Sequence, residues 1–149
     1  MDVVRRHIGY RRRSAAGLAV VIGIGIVLGC DSETTPPFGA SRAAVTGRVT
    51  SGGAGLAAVS LTAVVFFEAA CTGAAVPVTF DPTNAATGAD GRFSLGILAN
   101  GFSSFDGCIK LTLTRAADGG TLSVTKSPVV FTDTRSGPPV TTQVEIAWP

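Results

Sequence analysis

The segment Val45-Thr46-Gly47-Arg48-Val49-Thr50 alternates apolar or small residues with polar ones. Strict alternation places successive side chains on opposite faces, as in a β-strand with one buried face. The next residues, Ser51-Gly52-Gly53-Ala54-Gly55, are of the types that form turns. The chain is therefore predicted to enter a sheet at Val45 and to reverse direction near Gly52.

The same alternation recurs along the rest of the chain. It is found in residues 58–68, 92–97, 109–114, 122–126, 129–131 and 142–148, and no segment has a helical period. About seven short strands separated by turns predict an all-β fold, an antiparallel immunoglobulin-like or transthyretin-like β-sandwich over residues 45–149. Pro128 lacks an N–H group, so its strand is expected to lie at a sheet edge or to be split in two.

One strand is apolar on more than one face. In residues 58–68 the odd positions are apolar through to Phe67, and Val64 and Phe66 make part of the opposite face apolar. A strand of this kind is expected in the centre of a sheet or beneath a second covering layer. We therefore expect Phe67 to lie on the same face as Val59, Leu61, Ala63 and Val65, and either arrangement would account for Val64 and Phe66 on the other face.

Three segments follow one another in an order that is informative: Val45-Thr46-Gly47-Arg48-Val49-Thr50, Gly55-Leu56-Ala57-Ala58-Val59-Ser60-Leu61 and Thr87-Gly88-Ala89-Asp90-Gly91-Arg92-Phe93-Ser94-Leu95. Over residues 45–115 their order and spacing resemble the carboxypeptidase regulatory-like domain, and the resemblance implies a transthyretin-like, prealbumin-type sandwich. Residues 99–107 depart from the family pattern. A generic immunoglobulin-like or fibronectin-like domain is the alternative.

The first 29 residues have the organisation of a secretory signal peptide. A basic stretch ends at Arg13, and the 15 residues from Ala15 to Gly29 carry no charge. A membrane-spanning helix is the alternative, but it needs about 20 apolar residues. The shorter run, with its basic flank and small residues at the end, favours a cleaved signal peptide.

Cys30 stands at the predicted cleavage position. The stretch Val27-Leu28-Gly29-Cys30 resembles the lipobox of bacterial lipoproteins, in which the cysteine thiol receives diacylglycerol and the chain is cut before it. The resemblance implies that Cys30 is the lipid attachment site and that the protein is anchored in the bacterial cell envelope, facing the periplasm or the exterior. Residues 30–44, rich in Ser, Thr and Pro, are predicted to form a flexible tether.

The other two cysteines, Cys71 and Cys108, are an even pair in an exported chain. Export exposes thiols to an oxidising compartment, so a structural disulfide between them is predicted. No metal site or other cofactor is expected, because the chain has no C-x-x-C motif and its one histidine, His7, lies in the predicted signal peptide.

The charge pattern and the missing histidine restrict the functions that are expected. Five of the twelve basic residues and one of the ten acidic residues precede Cys30, which leaves seven basic and nine acidic residues, a net charge of −2. A faintly acidic domain has no electrostatic attraction for nucleic acid. Without histidine, a serine nucleophile lacks its commonest base, so the domain is predicted not to be an enzyme.

Three aromatic residues are the candidates for ligand contact: Phe102, Phe105 and Trp148. The expected function is a non-catalytic interaction or structural module, whose partners are the membrane through the lipid and an envelope protein or polysaccharide. The alternative is a carbohydrate- or peptide-binding module that uses residues 100–107 or a sheet edge. An exposed, shared aromatic surface would favour the alternative, whereas a buried one would make residues 100–107 a lid over the core.

Overall fold

A computed structural model describes residues 39–149. The predicted signal peptide, Cys30 and the tether up to residue 38 lie outside the described residues. The described chain forms nine strands: β1 (Ala40–Ser51), β2 (Ala54–Gly55), β3 (Val59–Phe66), β4 (Thr79–Asp81), β5 (Ala85–Ala86), β6 (Arg92–Asn100), β7 (Phe105–Arg115), β8 (Thr121–Asp133) and β9 (Val140–Ala147). Within residues 39–149 there is no helix of the length and hydropathy needed to cross a membrane.

The strands build a β-sandwich, as the alternation predicted. One side contains β4, β6 and β1, with β2 and β9 also paired to β1, and the other contains β5, β3, β7 and β8. The two sides are joined because the last residues of β8, Thr132 and Asp133, pair with Arg42 and Ser41 of β1. The pairing is antiparallel except between β1 and β9, which run parallel over eight residue pairs. The all-β sandwich is therefore confirmed, with one parallel pair that the sequence pattern did not indicate.

The core lies between the two sides and is filled by the alternating apolar positions. In β7, Ile109, Leu111 and Leu113 have no exposed surface, while Lys110 between them and Thr114 after them are exposed. The other strands follow the same rule, with Val45 and Val49 from β1 and Phe131 from β8 also fully buried. Burial of this apolar surface is the main favourable contribution to folding.

The strand that contains Pro128 is not split, and Pro128 lies at a sheet edge as predicted, because among the described residues β8 pairs with β1 only at Thr132 and Asp133 and elsewhere with β7 alone. β8 is continuous over 13 residues, and its ladder with β7 shifts register where Gly107 pairs with Val129 but Ile109 pairs with Lys126. Two residues, Ser127 and Pro128, therefore stand opposite Cys108 in a β-bulge. The bulge accommodates the missing N–H of Pro128 because ladder bonds are interrupted there.

Two boundaries differ from those predicted. β1 begins at Ala40, five residues before the predicted start of the sandwich at Val45, because residues 40–48 pair with β6 in unbroken register. β3 ends at Phe66, so alternation stops there and Phe67 is 47% exposed rather than inside the core. This strand lies between β7 and β5, which is one of the two predicted arrangements, and its outer face is not covered, since Val64 is 42% exposed.

The segments that carry the family resemblance contact one another. Gly47 pairs with Phe93, and a Cβ at Gly47 would lie 2.7 Å from the Phe93 ring, so the missing side chain makes room for it. The buried Thr87 hydroxyl donates to the Leu56 carbonyl at 2.7 Å and accepts the Val59 N–H at 3.0 Å. These contacts fix the chain between β2 and β3 against the hairpin that precedes β6.

Candidate functional site

Four phenylalanines from three parts of the chain meet at one end of the sandwich. We call Phe67, Phe102, Phe105 and Phe131 the aromatic cluster. Phe105 and Phe131 are paired residues in the β7–β8 ladder, and their rings stack with centroids 4.4 Å apart. Phe67 lies 5.0 Å from Phe105 and 5.2 Å from Phe102, at angles that bring ring edges toward ring faces. Such pairs contribute about 0.5–1.5 kcal/mol each beyond the area that they bury.

Exposure increases outward through the cluster. Phe131 is fully buried, Phe105 and Phe102 are half-buried, and Phe67 is 47% exposed. The inner rings therefore close the end of the core, as a lid would, while the outer ring meets solvent. Sequence reasoning found Phe102 and Phe105 but missed Phe67 and Phe131, since strand alternation gives no information on which strands meet at an end.

The predicted disulfide joins Cys71 to Cys108 and lies beside this cluster. Their Cα atoms are 5.1 Å apart. The bond connects the chain after β3 to β7, at the position opposite the bulge in β8. Cys71 adopts a positive φ of 56°, a conformation that is unfavourable for a residue with a Cβ. The bond and the tight backbone at Cys71 hold the segment that follows Phe67 against the end of the sandwich.

Trp148, the third predicted contact residue, is at the opposite end. It is 7% exposed. Its backbone N–H donates to the carbonyl of Thr50, the penultimate residue of β1, at 2.6 Å. Residues 40 and 50 of β1 are separated by about 33 Å at 3.3 Å per residue. Trp148 therefore does not share a surface with Phe102 and Phe105, because its ring closes the other end of the core.

Arg115 and Asp118 cover the outer face of Trp148. The guanidinium carbon lies 5.1 Å from the Trp148 ring centroid, and Arg115 Nε donates to Asp118 Oδ1 at 2.8 Å. The Gly120 N–H donates to the same oxygen at 3.1 Å. The hydrogen bond from Arg115, and then that from Gly120, lower the pKa of Asp118 to about 2. This group fixes the β7–β8 turn.

The depressed pKa of Asp118 predicts an acid-sensitive contribution to stability. A carboxyl whose pKa is near 4 when unfolded and about 2 when folded stabilises the fold above pH 4 and loses this effect as the pH falls toward 2. We expect the unfolding midpoint of the protein to exceed that of Asp118→Asn at pH 6, and the difference to shrink by pH 2. Urea unfolding at several pH values tests this, and a difference independent of pH would contradict it.

A shallow cleft of about 320 Å³ lies on the outer face of β1, β4 and β6. Ala44 and Gly96 form its floor, and Arg42, Asp81 and Leu98 are among its walls. Arg42 Nη2 donates to the carbonyl of Thr134 at 3.2 Å and to that of Gly137, so its guanidinium holds the β8–β9 loop. No sequence pattern pointed to Arg42, because it falls in the predicted tether.

Within residues 39–149, no group of three or more His, Cys, Asp or Glu side chains is placed to hold a metal ion. No protein-family model matches the chain, and no curated protein matches it in sequence. The candidate site therefore stands on its own geometry, which is that of a partly exposed aromatic cluster at one end of the sandwich.

Proposed function

We propose that this chain is a lipid-anchored lipoprotein of the bacterial cell envelope, whose β-sandwich acts as a non-catalytic interaction or structural module. The observation that carries the proposal is Cys30, placed directly after an uncharged run and within a lipobox-like Val27-Leu28-Gly29-Cys30. Two or three acyl chains on one residue give durable anchoring, whereas a single chain gives only marginal binding.

The cysteine inventory supports this role for Cys30. The chain contains three cysteines, and Cys71 and Cys108 are bonded to each other. Cys30 is left with no cysteine of its own chain to pair with, so its thiol is available for a thioether bond to diacylglycerol.

The placement of the first strand also supports an anchored domain. β1 begins at Ala40, which leaves nine residues between it and Cys30. A segment of that length spans at most about 30–36 Å. It would hold the sandwich close to the bilayer and would restrict the partners it can reach to molecules at the membrane surface.

Intact mass spectrometry of the protein purified from bacterial membranes tests the proposal. We expect a chain that begins at Cys30, carries diacylglyceryl and further acyl groups, and is lighter by two hydrogen atoms because of the disulfide. Cys30→Ala is the matched control and should yield no lipidated, membrane-bound form. A membrane-bound chain that begins at Met1 without added lipid would contradict lipid anchoring.

A further inference from the structure

The tether leaves the domain beside the aromatic cluster. The Gly39 carbonyl accepts the Gly101 N–H at 3.0 Å, and Gly101 directly precedes Phe102. The nine residues between Cys30 and β1 can span at most about 30–36 Å, which is about the length of β1 itself. If Cys30 carries lipid, the end of the sandwich that faces the bilayer is therefore the end with the aromatic cluster, and the end with Trp148 faces away.

The surface of this end is apolar around one prominent ring. Phe67 is 47% exposed, and the residues that follow it include four exposed alanines: Ala69, Ala70, Ala74 and Ala75. The Glu68 carboxylate accepts a hydrogen bond from Thr72 within its own turn. Asp106 is exposed beside the cluster, and the exposed Arg135 at this end is paired with Asp133, whose N–H donates to Ser104, so the charges around the cluster do not form a basic patch.

We propose that the aromatic end of the sandwich docks on the surface of the lipid bilayer that holds Cys30, with Phe67 inserted at the boundary between headgroups and acyl chains. The inference rests on the proposed lipid anchor. Phenylalanine and other apolar side chains enter this boundary by 5–10 Å when they project from a fixed surface. Because the surrounding charges do not form a basic patch, the contact is apolar, and it occurs on zwitterionic lipid and is insensitive to salt.

The cluster is already held in the geometry that docking requires. Phe105 stacks on the fully buried Phe131, and the disulfide fixes the segment after Phe67 to β7. A contact made by rigid groups loses little conformational entropy on binding. The short tether adds to this effect, because it keeps the surface at high effective concentration near the bilayer.

Fluorescence quenching by brominated lipid tests the docking. A chain beginning at Cys30 keeps the whole core, whose residues all lie between Ala43 and Trp148. It is coupled through the Cys30 thiol to a maleimide phospholipid in phosphatidylcholine vesicles with brominated acyl chains. The Phe67→Trp variant should lose about half of its added emission, since its ring would sit among the bromine atoms. Trp148, about 33 Å away along β1, should keep its emission in the unsubstituted chain.

Two further variants make the test decisive. Ser103→Trp places a probe in the exposed loop beside Phe102 and should also be quenched, which covers a failure of Phe67→Trp to fold. Ala54→Trp places an exposed probe at the opposite end of the sandwich, and its fluorescence should not be quenched. Equal quenching of all three variants, or of none, would overturn the docking. Chemical coupling does not depend on lipidation by the cell, so failure here is separate from failure of the mass measurement.

Discussion

Replacing both Cys71 and Cys108 with alanine is expected to lower the free energy of unfolding by about 4 kcal/mol. The disulfide closes a loop with a sequence separation of 37 residues. By the chain-entropy relation, opening a loop of that size makes the unfolded chain more favourable by about 4 kcal/mol. Native domains are stable by about 5–15 kcal/mol, so the loss is a large share of the total. Urea unfolding of the oxidised protein and of the double variant measures it.

Two controls separate the cross-link from other effects of the substitutions. Cys71→Gly with Cys108→Ala should be less destabilised than the double alanine variant, because glycine accepts the φ of 56° at position 71 without steric strain. Cys30→Ala lies outside the sandwich and should leave the unfolding free energy unchanged. A double variant that loses less than about 1 kcal/mol would show that the cross-link does little to the unfolded chain.

Gly91→Ala is expected to destabilise the domain by about 2–5 kcal/mol. Gly91 has a φ of 79°, which costs a residue with a Cβ about 1–2 kcal/mol. The new Cβ would also lie 2.8 Å from the Leu56 nitrogen and 2.9 Å from the Gly55 Cα. These are backbone atoms of the β1–β2 hairpin and of the residue that follows it, so relieving the contacts would displace the main chain. Overpacking of this kind adds about 1–3 kcal/mol to the destabilisation. The unfolding midpoint in urea reports the sum.

Gly53→Ala is the matched control for this prediction. Gly53 has a φ of 84°, close to that of Gly91, but no heavy atom lies within 4 Å of the position its Cβ would take. Its substitution should therefore cost only the backbone strain, about 1–2 kcal/mol. If the two alanine variants were equally stable, the close contact between the Asp90-Gly91 turn and the β1–β2 hairpin would make no contribution to the difference in unfolding free energy.

Local patterns were sufficient to predict most of the fold. Alternation identified β1, β3, β6, β7 and β9 because each has one face against the core, and the burial of Ile109, Leu111 and Leu113 follows it directly. The disulfide was predicted from the count and compartment of the cysteines. The start of β1 at Ala40 was missed because Ser41-Arg42-Ala43 gains its strand conformation from pairing with β6, a contact that no local pattern contains.

The candidate site was predictable only in part, and for a related reason. Phe102 and Phe105 are close in sequence, so a shared location could be inferred. Phe67 and Phe131 join them through the order of strands across the sheet, and Trp148 is separated from them by the length of β1. Which residues meet at which end of a sandwich depends on topology. The parallel pairing of β9 with β1 was hidden from the sequence for the same reason.

That parallel pair also determines how the domain responds to force. β1 starts at the end where the tether leaves, and β9 ends beside Trp148 at the other, with eight registered pairs between them. A pull between Cys30 and a partner held near Trp148 would load all of these pairs in shear at once instead of opening them one after another. Forced unfolding is governed by the unfolding rate, so such a geometry slows rupture. The sandwich is thus arranged to resist a force applied between the start of β1 and the end that contains Trp148.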